Sequence, residues 1–305
     1  MTPTTTPTSA PWVGATVRRR VADYVSLAKP RVVLLVLVTT LVGFYLGSWG
    51  AFDVVTLVHL LVGTALSAGG TLALNQYMER DLDARMERTR HRPLPDGRMA
   101  PTCALVFGLV LLVTGIGYLA LTVNALATLV TAGIAVTYLL LYTPLKPVSS
   151  LCSIVGAVPG ALPPVAGWVA ARDAFGAEPW VLFAIVFLWQ IPHTLAIGRM
   201  YRDDYARAGI RVLPVVDRDG SSTAKHAVTN CLALLPVALL PTLIGLAGPV
   251  YFLVALLCGV GFLWAAIRLA RSGSADDARR LLFASLVYLP VLLTAMALDK
   301  APFLR

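Results

Sequence analysis

Residues 75–93 read N-Q-Y-M-E-R-D-L-D-A-R-M-E-R-T-R-H-R-P, and they stand between two long apolar segments. Asn75, Glu79 and Asp83 recur at every fourth position. On an α-helix each such step turns the side chain by only ~40° and rises ~6 Å, so the three side chains share one stripe. Oxygen ligands grouped in this way suit Mg²⁺, which proteins hold through one or two carboxylates together with substrate phosphates. Several arginines follow at once, and guanidinium groups match phosphate oxygens. The stretch therefore predicts a site for a metal ion and a diphosphate.

The composition indicates a membrane protein. Of the 305 residues, 57% are hydrophobic and only 13% are charged, whereas a soluble domain carries about 25% charged residues. The net charge of +9 does not indicate a nucleic-acid partner, because the Lys and Arg residues lie in the gaps between apolar runs, as expected beside a membrane. The four cysteines are far apart and form no C-x-x-C pair, so neither a zinc site nor a disulfide framework is indicated.

Nine apolar runs are each close to the ~20 residues that a helix needs to cross the hydrocarbon core. They predict spans at about 31–49, 54–78, 101–121, 124–143, 150–171, 179–199, 226–247, 249–270 and 280–299. The predicted fold is an all-α membrane protein, a bundle of nine transmembrane helices around a central cavity that opens to the cytoplasmic side. Residues 23–305 form a single domain in this interpretation. Residues 1–22, which begin with a run rich in Thr, Pro and Ser, form a disordered cytoplasmic tail.

The distribution of charge predicts the orientation. If the N-terminus is cytoplasmic and the spans alternate, all Lys and Arg residues except Arg172, Lys300 and Arg305 fall on the cytoplasmic side. The positive-inside rule predicts such an excess. We therefore expect an integral protein of a bacterial-type plasma membrane with its C-terminus outside. Both long loops, about 79–100 and 200–225, are then cytoplasmic.

The second long loop repeats the pattern of acids with arginines. Arg202, Asp203 and Asp204 follow the sixth span, much as the first motif ends the second span. Two such clusters that face each other would hold a diphosphate between them, and the plainer interpretation is a solvated ion-pair face. Lys146 falls on the same predicted side, where it either reaches the diphosphate or only sets the topology.

Two unusual features lie within the apolar runs. His193 follows Pro192 in the sixth span, and a polar residue at membrane depth is costly and is by default a candidate functional residue. The alternative is a histidine whose hydrogen bonds are satisfied within the bundle. Residues 156–168, G-A-V-P-G-A-L-P-P-V-A-G-W, should kink or unwind the fifth span. Membrane proteins tolerate this where the backbone is buried in protein or lines a cavity, so we expect this stretch to form a cavity wall.

These motifs resemble those of the membrane-embedded prenyltransferases, which join an isoprenoid diphosphate to an acceptor. That superfamily carries N-x-x-x-D-x-x-x-D, and here Glu79 replaces the middle Asp, which retains a carboxylate. Within the superfamily the chain is similar to the protohaem IX farnesyltransferases, or haem O synthases. The likeness rests on four stretches in order: E-R-D-L-D-A-R-M-E-R-T-R-H-R-P-L-P from Glu79, P-P-V-A-G-W from Pro163, W-Q-I-P-H from Trp189 and D-Y-A-R-A-G-I-R-V-L-P from Asp204. The segment P-V-S-S-L-C-S after Lys146 departs from the family, which tends to carry more polar residues there.

The resemblance implies farnesyl diphosphate and haem B as substrates, haem O as the product and Mg²⁺ as the cofactor. Haem O serves terminal oxidase assembly, which implies haem A synthase or oxidase assembly proteins as partners, in addition to the lipid bilayer. The implied catalytic and metal-binding residues are Asn75, Glu79, Asp83 and Asp204. The implied contacts to diphosphate or haem are Arg88, Arg92, Lys146, His193, Arg202 and Asp203.

The chemistry of the residues agrees with this interpretation. An allylic diphosphate leaves as an anion, so a metal ion with arginines would neutralise its developing charge, and an intramembrane cavity would keep water from the allylic cation. Two alternatives remain open. A related prenyltransferase would use a quinone precursor or a chlorophyll-type acceptor, although His193 and the R-T-R-H-R-P string favour haem. An anion transporter would place polar residues near the bilayer midplane, whereas these acids lie at helix ends.

Overall fold

The computed structural model describes residues 12–49 and 52–301, and most of this part of the chain is helical. Its α-helices are α1 Trp12–Ala28, α2 Pro30–Gly47, α3 Val54–Asp83, α4 Pro101–Thr122, α5 Ala125–Val136, α6 Thr143–Leu145, α7 Cys152–Ala161, α8 Pro163–Arg172, α9 Glu178–Met200, α10 Arg202–Arg207, α11 Leu213–Val216, α12 Ser221–Leu243, α13 Pro249–Ser272 and α14 Ala275–Leu298. A π-helical segment, Thr137–Tyr142, joins α5 to α6. Within the described ranges the β pairing is limited to one isolated bridge, between Ala247 and Lys300.

Nine helical stretches in this part of the chain are long and apolar enough to cross a membrane, which confirms the predicted number of spans. The second span ends at Asp83, about five residues after its predicted end, and the seventh and ninth spans begin at Ser221 and Ala275, about five residues before their predicted starts. Polar first turns continue these helices beyond the apolar runs. At the start of α14, Ser274 Oγ accepts a hydrogen bond from the Asp277 backbone N–H at 3.1 Å, which is the usual role of an N-cap serine.

The predicted disordered tail over residues 1–22 extends too far. Residues 1–11 lie outside the described part of the chain, but α1 already begins at Trp12. The end of α1 is anchored on the bundle, where the rings of Tyr24 and Phe107 pack with centroids 4.9 Å apart. Packing of this kind stabilises a helix that composition alone does not predict.

Helices α3 and α4 share the most extensive helix–helix contact of the described bundle. Glycines allow the two backbones to approach: a Cβ on Gly115 would overlap the backbone nitrogen of Ser67, and a Cβ on Gly70 would overlap that of Leu112. Small residues are the usual device for close crossings of membrane helices. The crossing fixes the position of α3, whose last turns carry the Asn75 stripe.

The fifth span is broken in the stretch that its prolines single out. α7 ends at Ala161 and α8 begins at Pro163, since proline lacks the N–H that an unbroken helix would need. Gln190 of α9 donates a hydrogen bond to the Ala157 carbonyl at 2.8 Å, so a backbone group near the break has a partner. The break leaves the backbone of α7 beside the pocket described below, as a cavity wall.

The fourth span contains the π-helical turn. Thr143 Oγ1 donates to the carbonyl of Tyr138, five residues earlier, at 2.9 Å. π-Bulges inside helices frequently mark functional sites. This one faces the polar end of α3, because Tyr138 and Tyr142 line the same pocket as Asn75.

Candidate active site

The last turns of α3 carry three buried side chains with oxygen atoms. Asn75, Glu79 and Asp83 are only 1%, 7% and 1% exposed, and all three line one pocket, as their four-residue spacing predicts. Burial of two carboxylates without partners would be strongly unfavourable. The neighbouring segments must therefore supply positive charge.

Each of these oxygen-bearing side chains meets a cation from a different segment. Lys146 Nζ lies 2.5 Å from Glu79 Oε1, and Arg92 donates to Asp83 Oδ2 at 2.6 Å. The third cation is Lys29, which donates to Asn75 Oδ1 at 3.3 Å. Three basic and two acidic side chains thus converge on one end of the bundle, and Arg88 also lines the pocket, so the cluster suits an anionic ligand.

Lys29 has an unusual backbone and an unusual charge. It precedes Pro30 at the start of α2 with φ 47° and ψ 64°, in the left-handed region that few residues other than glycine adopt. Burial of its ammonium group, together with the nearby Arg92 and Lys146, lowers the pKa of Lys29 to about 7. An amine held in such an environment is a candidate functional group.

Lys146 is positioned by an aromatic ring and a carboxylate. Its Nζ lies 4.5 Å from the centre of the Tyr142 ring, within the range of a cation–π interaction. Burial alone would lower the pKa of Lys146, but the Tyr142 and Glu79 side chains outweigh burial and raise it. Lys146 therefore stays protonated at neutral pH.

The amide of Asn75 is held at both ends. Its Oδ1 accepts from Lys29 at 3.3 Å, while its Nδ2 donates to Thr143 Oγ1 at 3.1 Å. Thr143 in turn is fixed by its hydrogen bond to the Tyr138 carbonyl in the π-helical turn. The two contacts select the amide orientation in which the oxygen faces the cations.

These groups surround a pocket of about 370 Å³, which we call the polar pocket. Its polar lining comprises Lys29, Asn75, Glu79, Asp83, Arg88, Arg92, Tyr138, Tyr142, Lys146, Ser153, Gln190, Thr194 and Tyr205. The structure thus brings together five of the sequence-predicted residues from the first motif with Lys146.

The second acidic loop contacts the first loop, but its acids do not line the polar pocket. Asp204 of α10 pairs with Arg207 and lies 3.4 Å from the Glu87 backbone nitrogen. The two loops therefore meet at the same end of the bundle. Tyr205 is the residue of α10 that reaches the pocket, and its hydroxyl accepts from Arg88 at 3.5 Å.

Three other predicted residues also lie outside the lining of the polar pocket. Asp203 is exposed and Arg202 is half-buried, both on α10. His193 instead faces α14, where its Nδ1 lies 2.7 Å from Ser285 Oγ and its ring stacks on Trp189. His193 thus has a hydrogen-bond partner for Nδ1 within the bundle. This contact agrees with the plainer interpretation of its sequence position, a histidine whose hydrogen bonds are made within the bundle.

The residues of the α3 stripe fit a hard divalent cation by their chemistry. Carboxylate and amide oxygens are the ligands that Mg²⁺ prefers, and the partner of the buried Glu79 Oε1 is the ammonium group of Lys146. The stripe from Asn75 to Asp83 rises by about 12 Å, so a single ion would contact neighbouring members and not all three. Among the residues that the structure describes, no three His, Cys, Asp or Glu side chains form a preassembled metal cluster.

Several pocket residues were not predicted from the sequence. Lys29 looks like a topology-setting lysine at the edge of a span, and Tyr138 and Tyr142 look like ordinary membrane aromatics. The four-residue spacing of the two tyrosines, next to Thr143, was the available sign that they share one helix face with a polar group. Gln190 was visible as a polar residue inside an apolar run, which at membrane depth is expensive.

Comparisons with known proteins agree with this geometry. The model of the UbiA prenyltransferase family matches residues 36–287. The chain belongs to the UbiA prenyltransferase family. The chain is therefore a prenyltransferase, and its curated relatives are named after one reaction within the family. The protoheme IX farnesyltransferase of Solibacter usitatus is 45% identical over 91% of this chain and 98% of its own length. That of Koribacter versatilis is 43% identical over 98% of this chain and 99% of its own length.

Solved structures of the family share the fold. A digeranylgeranylglyceryl phosphate synthase superposes with a TM-score of 0.78 at 16% identity, covering 92% of this chain and 98% of that one. A UbiA homolog from Archaeoglobus fulgidus bound to GPP and Mg²⁺ superposes with a TM-score of 0.66 at 15% identity, covering 90% of this chain and 99% of that one. The all-α membrane fold predicted from the sequence is thereby confirmed.

Proposed function

We propose that this chain transfers the farnesyl group of farnesyl diphosphate to a vinyl group of haem B, with haem O and diphosphate as products. The observation that carries the proposal is the polar pocket, where the Asn75–Glu79–Asp83 stripe lies among the side chains of Lys29, Arg92 and Lys146. Relatives that are more than 40% identical over nearly the whole chain are named protoheme IX farnesyltransferases, which supports farnesyl as donor and haem as acceptor.

The reaction begins with loss of the diphosphate. The bond between the allylic carbon and the diphosphate oxygen breaks, and both electrons leave with the oxygen. Lys29, Arg92 and Lys146 would hold the phosphate oxygens, and their charge would stabilise the anion as it develops. The haem vinyl group then attacks the allylic carbon, water adds to the cation formed on the vinyl group, and a proton is released to give the hydroxyl of haem O.

Glu79 and Asp83, with the amide oxygen of Asn75, would hold Mg²⁺, and each ion would contact neighbouring members of this stripe. When bound, Mg²⁺ supplies a Lewis acid that neutralises charge on the leaving diphosphate. Arg92 and Lys146 now face these carboxylates, so they are within reach to exchange a carboxylate oxygen for a phosphate oxygen. Asp204, with Asp203 beside it, would complete the metal-diphosphate site from α10 if its loop moved inward. Arg88 and Arg202 would contact phosphate oxygens or haem propionates.

The membrane supplies the remaining conditions. Nine candidate spans in the described chain give both apolar substrates access from the bilayer, and the buried pocket limits quenching of the cation by water. We place the polar pocket and the N-terminus on the cytoplasmic side and the C-terminus outside, on the charge distribution between the spans. Haem O would pass to haem A synthase or to oxidase assembly proteins.

The test is a defined reaction with the purified full-length protein in lipid nanodiscs. Farnesyl diphosphate, haem B and Mg²⁺ are supplied, and haem products are separated by chromatography and identified by mass while diphosphate release is measured in parallel. We expect haem O and diphosphate in equal amounts, with both lost on chelation of Mg²⁺. Diphosphate release without any haem O would overturn the acceptor assignment, and a quinone-precursor acceptor in the same assay would then identify a related prenyltransferase.

A further inference from the structure

A second, apolar pocket adjoins the polar pocket. It has a volume of about 150 Å³ and shares the lining residues Tyr138 and Gly160 with the polar pocket. We call it the apolar pocket. Helices α2, α3 and α5 and the broken span enclose it. The diphosphate chemistry does not use this space, so its role requires a separate explanation.

Most of the α3 side chains that line this space are small, and Leu72 is the exception. Thr64, Ser67, Ala68 and Thr71 line the apolar pocket along two turns of the helix. Thr131 of α5 also lines the apolar pocket. The glycines of α3 are already explained by the crossing with α4, whereas these residues touch the open pocket. A membrane helix would otherwise fill such a face with larger apolar side chains.

Two hydroxyl groups in this pocket have no partner. Thr64 and Thr131 are each 5% exposed, and their Oγ1 atoms make no hydrogen bond within the described structure. By contrast, Thr71 Oγ1 donates to the Ser67 carbonyl at 2.8 Å. Unpaired buried hydroxyls are rare and call for an explanation. A tail whose double bond lies against them offers a weak acceptor that a saturated lipid chain lacks.

The depth of Thr64 agrees with the length of the proposed donor. Thr64 lies eleven residues before Asn75 on α3, a rise of about 16 Å or three helical turns. One turn, about 5 Å, is close to the length of one isoprene unit. The first two units of a donor bound at Asn75 would therefore extend past Thr71 toward Ser67, and the third would reach Thr64. A geranyl chain, which lacks the third unit, would end before it.

We propose that Thr64 and Thr131 contact the third isoprene unit of the donor and determine the preference for farnesyl over geranyl. This inference rests on the proposed function, because it takes an isoprenoid diphosphate as the donor. The inference adds which residues determine the length of the isoprenoid chain that the site prefers. The hydroxyls contribute little to the selection, and the shape of the two side chains contributes most.

The experiment is a competition between geranyl and farnesyl diphosphate for haem B in one reaction, with the ratio of the two haem products measured by mass. Thr64→Ile, Thr64→Leu and Thr131→Leu enlarge the side chains at the end of the apolar pocket. One methylene in an apolar pocket changes discrimination by about 10- to 200-fold, so we expect the geranyl-to-farnesyl ratio to rise at least ~10-fold. The ratio is internal to each sample, and Thr64→Ile guards against misfolding because it is the mildest of the three changes.

Two control variants define the outcomes. Thr64→Val keeps the shape and should leave the ratio within about threefold of wild type, as expected for loss of a weak contact. Val62→Leu enlarges a side chain on α3 that is 42% exposed and does not line the apolar pocket. This variant should keep the wild-type product ratio. If the enlarged variants keep the wild-type product ratio, the inference is overturned. If no variant and no wild type forms a prenylated haem from either donor, the proposed function itself fails.

Discussion

The replacement of Thr143 by Val tests whether the π-helical turn positions the active-site amide. Thr143 Oγ1 accepts from Asn75 Nδ2 at 3.1 Å and donates to the Tyr138 carbonyl at 2.9 Å. Val has nearly the same shape but leaves Asn75 Nδ2 without this acceptor, whereas the Tyr138 carbonyl keeps its hydrogen bond from the backbone N–H of residue 143. Each unsatisfied buried group costs about 1–3 kcal/mol. The Asn75 amide would then be free to turn its nitrogen toward Lys29.

The expected loss in activity follows from these energies. If the transition state loses the stabilisation from one such hydrogen bond, about 1–3 kcal/mol, kcat/KM for farnesyl diphosphate falls by about 5- to 150-fold, since 1.4 kcal/mol corresponds to a tenfold change. The assay is diphosphate release as a function of Mg²⁺ concentration. We expect Thr143→Val to need more Mg²⁺ for half-maximal rate and Thr143→Ser, which keeps the hydroxyl, to restore most of the activity. A Thr143→Val variant with wild-type rate and wild-type Mg²⁺ dependence would refute the positioning role.

Three further changes test the remaining parts of the account. Gly115→Ala would press a Cβ into the backbone of α3. Overpacking of this kind costs about 1–3 kcal/mol, so the melting temperature should fall by several degrees. In the control Gly117→Ala the Cβ meets open space, so this variant should melt like wild type. Lys29→Met should raise the KM for farnesyl diphosphate about tenfold, because one charge-assisted phosphate contact is lost. Its melting temperature should not fall, because burial already disfavours the lysine charge. A loss of stability with unchanged KM would show that Lys29 has a structural role instead. His193→Ala should lower the melting temperature, since its ring is bonded to Ser285, and leave the KM for farnesyl diphosphate unchanged; a raised KM in a stable variant would contradict its placement outside the polar pocket.

Patterns that repeat along one helix were the most predictable parts of this protein. The spacing of Asn75, Glu79 and Asp83 places them on one stripe whatever the tertiary fold, and the lengths of the apolar runs determine the number of spans. The helix break near Pro163 follows from the missing N–H of proline. These features depend on local geometry, so the sequence suffices to predict them.

Contacts between distant segments could not be predicted in this way. Lys29, whose backbone adopts a left-handed conformation before Pro30, contacts Asn75 from 46 residues away, and a charge at the edge of a span is normally a topology signal. Asp204 was expected to face Asp83 across the site. Instead, the short helix α10 turns it toward Arg207 and the Glu87 backbone. For His193 the sequence left two interpretations open, and the contact of its Nδ1 with Ser285, 92 residues away, favours the hydrogen-bonded one.

The most direct test of a metal-assisted site on α3 is Mg²⁺-dependent diphosphate release by Glu79→Gln beside Asp81→Asn. Both changes neutralise a carboxylate on the same helix, but the Glu79 side chain is 9% exposed and paired with Lys146, whereas the Asp81 side chain is 77% exposed. We predict that Glu79→Gln loses about 100-fold or more in kcat, the scale of removing one preorganised electrostatic group, while Asp81→Asn stays within about twofold, as for an exposed ion pair. Wild-type release by Glu79→Gln, or an equal loss in both variants, would contradict the role of this stripe in ionising the donor.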